Sequence, residues 1–168
     1  ALLDNGDVAC WGYNGFGGLG TGNTNQMTSP TVVSLDSQRQ VASIGTGKHH
    51  TCIGYDDGSV VCAGRDNRGQ QGDASDTSND VTFTYTDQLA NLSIIALAGE
   101  YVSCALLANG TAQCWGRGIE GQIGDGTTGD NAYPDDLVNT PSGRFIVDMS
   151  MSGTHACIVL DDGSVACW

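Results

Sequence analysis

The chain has 168 residues, 19 Asp and Glu against 6 Lys and Arg, and a formal net charge of -13. That balance argues against DNA or RNA as a main partner, because binding a polyanion needs a basic footprint. No apolar run approaches the ~20 residues that span a bilayer, and no basic segment followed by an apolar one marks a signal peptide within the sequence, which starts at Ala1 and not at Met.

With 25 Gly and 3 Pro, the composition favours tight turns over Pro-rich disorder. Val, Ile, Thr and aromatic residues fall in short runs bounded by Gly, Asp and Asn, so the elements read as strands, and helix signals are poor. The chain opens with ALLDNGDVACW, the tail of a phrase that returns as CIGYDDGSVVCAG from Cys52, CALLANGTAQCWG from Cys104 and CIVLDDGSVACW from Cys157. The second cysteines, Cys10, Cys62, Cys114 and Cys167, are spaced by 52, 52 and 53 residues. The turn glycines Gly6, Gly58, Gly110 and Gly163 keep the same spacing. Gly12, Gly64 and Gly116 follow the phrase, then Gly17, Gly69 and Gly121, then Gly20, Gly72 and Gly124.

A period near 50 residues with short strands points to a propeller blade or a coil of a β-solenoid. Strands are predicted near 31–35, 41–46, 50–55 and 59–63, and again near 81–86, 94–98, 102–107 and 111–115. The repeat units run about 11–63, 64–115 and 116–168, with 1–10 the end of a preceding unit and the whole of 1–168 one partial domain.

The phrase has a defined hairpin register. If Cys52 faces Cys62, then Ile53 faces Val61, Gly54 faces Val60 and Tyr55 faces Ser59, leaving Asp56-Asp57-Gly58 as a three-residue loop. Such loops place Gly in the left-handed region after a type I turn. The facing cysteines come within disulfide reach. The same arithmetic pairs Cys104 with Cys114 and Cys157 with Cys167. Cys10 would face a position just before Ala1, so it is expected to be an unpaired boundary residue of a longer array, with no reactive role. Three such pairs favour an oxidising, extracellular or cell-surface setting. Zinc binding and reduced, buried thiols are the alternatives, although each pair offers only two ligands and zinc spacings are usually shorter.

GTGKHHTCIGYDDGSVVCAGRDNRGQQGD and GEYVSCALLANGTAQCWGRGIEGQIGDGT resemble the regulator-of-chromosome-condensation repeat, as do VACWGYNGFGGLGTG from Val8 and GTHACIVLDDGSVACW from Gly153. The shared pattern is Gly, His-Ser/Thr, a small-apolar strand, a Gly turn, Val-x-x-Trp-Gly and Gly-Gln-Leu-Gly. The resemblance implies an all-β fold: β-propeller blades of four antiparallel strands, about three blades of an incomplete ring that usually has seven. Such an arc would leave edges exposed, so a longer chain or further copies are expected to complete it. Ala63 stands where Trp11, Trp115 and Trp168 recur, Gln71 and Ile123 stand where the family has Leu, and EYVSC replaces the His motif. The paired cysteines are more like the secreted and cell-surface members.

No residue set points to catalysis. GFGGLG and GIEGQIG lack the helix and the parallel crossover that a dinucleotide loop requires. Asp56-Asp57 and Asp161-Asp162 sit at hairpin tips, where Asp favours turns. The oxygen-rich stretch Asp125 to Asn131 reads as a surface loop before a calcium site. His49, His50 and His155 lack a nucleophile at a recognised spacing, and the family pattern gives His50 and His155 structural roles. Trp11, Trp115 and Trp168 read as core or inter-blade packing. The sequons at Asn91 and Asn109 are candidate glycan acceptors, Asn109 at a turn tip. No cofactor or metal is implied. The expected function is a non-catalytic extracellular or cell-surface module for protein binding or scaffolding, its partner being a protein or other copies of the same assembly. The alternatives are an exchange-factor-like regulator of a small GTPase and a propeller-type enzyme inhibitor.

Overall fold

A computed structural model describes residues 1–75, 78–86, 95–140 and 143–168. Asn91 lies outside them. The described residues form thirteen strands and no helix.

Each hairpin is closed by its glycine corner. Gly58 N donates to Tyr55 O at 3.0 Å and Tyr55 N donates to Ser59 O at 2.9 Å. Counting back from that bonded pair makes Cys52 and Cys62 a non-hydrogen-bonded pair, the narrow kind. Their Cα atoms are 4.2 Å apart and their sulfurs are joined. Cys104–Cys114 and Cys157–Cys167 repeat this at 4.1 Å. At the chain start, Ala1 and Ala9 exchange two backbone bonds, so Cys10 faces the position before Ala1. Its thiol is free and buried, and burial pushes its pKa up.

The strands form four antiparallel sheets. β1 (Ala9–Gly12) pairs with β2 (Met27–Val32). β3 (Val41–Thr46), β4 (His50–Tyr55), β5 (Val60–Gly64) and β6 (Asp80–Tyr85) make a four-stranded blade in that order. β7 (Ile95–Ala98), β8 (Val102–Leu106), β9 (Ala112–Gly116) and β10 (Asn131–Leu137) make the next. β11 (Ile146–Met151), β12 (Ala156–Leu160) and β13 (Val165–Cys167) follow.

The sequence repeat and the blade are out of phase. The repeat unit 11–63 sets the strand at 31–35 beside 41–63, but Met27–Val32 pairs with β1, and Asp80–Tyr85 pairs with β5, not with the strands that follow it. The cause is the glycine loop after each Trp-Gly position. It turns the chain back antiparallel along the strand it has just left, so the outermost strand of a blade comes after the loop and not before the next hairpin.

The core lies between blades. Cys52, Val60 and Cys62 pack against Ala105, Leu107 and Trp115 of the next blade. Cys104, Cys114 and Ile123 pack against Ile146, Met149 and Ile158 of the one after. The Cys52–Cys62 and Cys104–Cys114 disulfides are therefore part of the inter-blade layers. Trp115 is fully buried, and its indole N–H donates to Gln70 O at 2.9 Å. One repeat later, Trp168 donates to Gln122 O at 2.9 Å. Trp11 is half exposed.

Ala63 breaks this tryptophan series, and the structure shows what fills the gap. A Cβ on Gly72 would meet Trp115, and one on Gly124 would meet Trp168. The matching Gly20 instead faces the Phe83 ring, 2.1 Å from the position its Cβ would take. An aromatic ring delivered from β6 thus occupies the site that Ala63 leaves open. Gln71, at the family's Leu position, is buried but satisfied: its Nε2 donates to Gly64 O at 2.9 Å and its Oε1 accepts from Thr84 Oγ1 at 3.2 Å.

Candidate functional site

Antiparallel strands place alternate loops on opposite ends of the sheets. The loops β1–β2, β3–β4, β5–β6, β7–β8 and β9–β10 share one face. Gly18 closes on the His49 carbonyl, and Arg68 reaches Asp130 at 2.8 Å. Four of the six Lys and Arg residues, Lys48, Arg65, Arg68 and Arg117, lie on this face.

The ladder positions them. Arg65 N donates to His49 O, and Arg117 N donates to Tyr101 O, each at 2.9 Å. Each arginine therefore sits directly across from the residue preceding its partner strand. Gly64 and Gly116 come just before, at φ 118° and 103°. A Cβ on Gly64 would lie 2.3 Å from the His49 carbonyl oxygen, so only glycine lets the chain leave β5 at this point.

The side chains converge on aromatic rings. His49 packs 4.8 Å from Phe16, 5.6 Å from Tyr13 and 6.5 Å from Tyr101 between ring centroids. The Arg65 guanidinium lies 4.8 Å from the Phe16 ring and 5.5 Å from the Tyr101 ring. Lys48 and Arg117 lie 5.7 and 5.8 Å from the same Tyr101 ring. These separations are within cation–π range. Burial, then the Arg65 and Lys48 charges, hold the His49 imidazole below the usual histidine range.

Three of the cations are paired: Lys48 with Glu100, Arg68 with Asp130 and Arg117 with Glu120. Arg65 has no carboxylate partner among the described residues. A recess of about 260 Å³ lies between Arg65, Asn67, Arg68, Tyr101 and Arg117. The opposite face holds a larger recess, about 510 Å³, walled by turn residues and the carboxylates of Asp4, Asp7 and Asp36. Its cation, Arg39, is already bound to Asp36 and Asp57, so that recess offers no unpaired cation.

The residues singled out by sequence are dispersed. His50 is buried inside the blade, where its Nε2 lies 2.9 Å from Ser103 Oγ. Ser103 gives its one proton to Gln70 O at 2.8 Å, so the histidine must be the donor. Its bare Nδ1 has no partner, and burial pushes its pKa down to about 4. His155 is exposed and bonded through Nδ1 to Ser152 Oγ at 2.9 Å. Asn109 is exposed at its tip and accepts from Thr111 N at 3.0 Å. Asp125 accepts from Thr127 N and Oγ1 at 2.8 and 2.7 Å, an internal turn. Asp57 and Asp162 accept from Ser59 and Ser164 in the same way. Among the described residues no group of three or more His, Cys, Asp or Glu could hold a metal ion.

Sequence reasoning missed the arginine and aromatic cluster. Its signal lay in the columns beside the invariant ones. Tyr13, Arg65 and Arg117 occupy the position after Trp-Gly, and His49 and Tyr101 the position before the histidine column.

The profile of the Regulator of chromosome condensation (RCC1) repeat matches residues 5–53 and 109–159. The X-linked retinitis pigmentosa GTPase regulator of Mus musculus is 34% identical over 128 residues, covering 73% of this chain and 12% of that protein. The ultraviolet-B receptor UVR8 of Arabidopsis thaliana is 30% identical over 173 residues, covering 100% of this chain and 38% of that protein. Prp20p from Saccharomyces cerevisiae superposes with a TM-score of 0.81 at 23% identity, over 91% of this chain and 39% of that one. The chain thus spans well under two thirds of each of these relatives.

Proposed function

Because the chain belongs to the regulator of chromosome condensation repeat family, we propose that it is a non-catalytic protein-binding module, working outside the cell or at its surface. The observation that carries this reading is the cluster of Tyr13, Phe16, His49, Arg65, Tyr101 and Arg117. Aromatic residues and arginine are the side chains that dominate protein interfaces. Here they are presented by loops on a rigid sheet scaffold, a usual place for contacts. Tyr13 is 55% exposed, a large ring held in water. The extracellular part of the reading is supported by three disulfides, two of them buried between blades, since such bonds persist in oxidising compartments.

The test is capture of partners by the oxidised protein from the medium or surface fraction of its own cells. Tyr101→Ala should lose the captured protein, and Arg144→Ala, on the opposite face, should retain it. Equal capture by both variants would move the contact elsewhere. Non-reducing mass measurement on protein taken directly from cells tests the compartment: seven alkylated cysteines, in place of Cys10 alone beside three bridges, would exclude an oxidising site.

A second reading, regulation of a small GTPase, is favoured by the names of the relatives: one is a GTPase regulator, and Prp20p was studied for its binding to Gsp1p and histones. Accelerated nucleotide release from a purified GTPase would select it over the first reading.

A further inference from the structure

We infer that the recess beside Arg65 is a site for a single oxyanion, a carboxylate or a phosphate monoester, borne on a flexible segment of a protein partner. The inference rests on the reading of this face as a protein-binding surface and adds the chemistry that the partner must carry.

The charge count leads to one anion. Four cations gather here, and Glu100, Glu120 and Asp130 neutralise three of them. Arg65 is left over. Arg65 stands beside two other arginines around one recess, where an oxyanion would offset their mutual repulsion. Its plane is restrained by contact with two rings, Phe16 and Tyr101, which lowers the ordering cost of a bidentate contact to an oxyanion. Arg68 and Arg117 each spend one terminal nitrogen on a carboxylate. The Arg117 Nε is buried with no hydrogen-bond partner. Donors therefore remain on all three arginines around one recess.

The size of the recess and the surrounding charge restrict the source of that anion. About 260 Å³ falls below the usual range for a whole small-molecule ligand, roughly 300–1,000 Å³, but admits a charged side-chain head with a few waters. A polyanion needs a continuous basic track. The remaining cations, Arg39 and Arg144, are on the far face and bound to Asp36, Asp57, Asp161 and Asp162, so no such track exists. The exposed Tyr13 ring beside the cluster supplies an apolar contact for residues flanking the anion.

The experiment uses three fluorescent octapeptide libraries, degenerate except for a central glutamate, phosphoserine or glutamine, titrated by anisotropy against the oxidised chain. The glutamate or phosphoserine library should bind about tenfold or more tightly than the glutamine one, the effect of a charge-assisted contact. Whichever binds more tightly identifies the source of the oxyanion. Arg65→Ala should abolish the preference, and Arg65→Lys should restore only part of it, because it keeps the charge and loses the fork. Arg68→Ala, at the exposed rim, should weaken the preference and serves as the second variant if Arg65→Ala lowers the thermal midpoint. Equal binding of all three libraries, or binding of none, overturns the inference. So does a 20-nucleotide single strand of DNA that binds as tightly as the best library. If the Tyr101-dependent capture described above persists in any of these cases, the protein-binding reading stands and only the oxyanion is lost.

Discussion

Trp115→Phe tests whether the indole bond between blades, and not burial alone, locks the repeat. Trp115 is fully buried, and its N–H reaches Gln70 O at 2.9 Å. Phenylalanine removes that bond and part of the ring. The Gln70 carbonyl keeps a second donor, Ser103 Oγ at 2.8 Å, so the acceptor is not orphaned and the lost bond is worth about 1 kcal/mol. The missing half-ring leaves a void adding about 1 kcal/mol, for a total near 2 kcal/mol. Trp115→Ala should cost roughly 3–5 kcal/mol. Trp11→Phe is the internal control: the same residue type at the same repeat position, but half exposed, so its effect should stay within about 0.5 kcal/mol. Circular dichroism melts read the difference as about 4–8 °C for Trp115→Phe, at about 2–4 °C per kcal/mol for a chain of this size. Equal shifts for Trp11→Phe and Trp115→Phe would refute the argument that stability resides between blades.

Replacing Cys104 and Cys114 by alanine opens a loop with a sequence separation of 10 and should cost about 3 kcal/mol through denatured-chain entropy; a melt within about 1 kcal/mol of the parent would show that the bridge restrains nothing. Gly20→Ala should cost at least about 1 kcal/mol from its left-handed φ of 65° alone, plus displacement of Phe83. In a double-mutant cycle Phe83→Ala should absorb part of that clash, and strict additivity would mean the two do not touch. The acid response should depend on two buried groups that oppose each other. His50 has a folded pKa lowered to about 4, so it contributes stability above its ordinary 6.5 that is lost as pH falls. Asp66 is raised by burial to about 7, against bonds from Gln71 N and Ser75 Oγ. It therefore contributes stability at low pH that is lost as pH rises through 7. Between pH 7 and 5 each effect amounts to about 2 kcal/mol, so they nearly cancel. Asp66→Asn should unmask the histidine and lose about 2 kcal/mol over that interval in urea titrations. Asn14 shows that the exchange is tolerated, since it makes the equivalent bond to Leu19 N at 2.9 Å. A pH profile parallel to the parent would show that Asp66 does not titrate there.

The fold was legible because the hairpin register depends on local chemistry. A glycine corner sets the loop length, and the loop length sets which cysteine faces which. Strand existence followed from the same punctuation, and the predicted 41–46 and 50–55 coincide with β3 and β4. The grouping of strands into blades was not legible. It depends on where the chain goes after Gly64 or Gly116, and composition does not distinguish a loop that folds back on its own sheet from one that leaves it. The Phe83 substitution for a tryptophan at Ala63 was hidden for a related reason. The ring comes from β6 and fills a space defined by Gly20 in another blade, a contact that no periodic column contains.

The site was the least legible part, and its position in the repeat explains why. Columns that hold the fold repeat, so alignment of the repeats finds them: the paired cysteines, the corner glycines and the tryptophans. A binding surface needs different residues in successive blades, so its columns vary. The column after Trp-Gly reads Tyr13, Arg65 and Arg117, and the column before the histidine reads His49, Tyr101 and Thr154. Neither series suggests chemistry when read along the chain. They converge because Arg65 N bonds His49 O and Arg117 N bonds Tyr101 O, which places two varying columns side by side at the end of each inner hairpin. The invariant glycine before each arginine exposes that junction on the loop face. In this repeat, therefore, the residues to compare between relatives that bind different partners are the two flanking columns, and the rigid columns between them serve to hold those side chains at a fixed spacing.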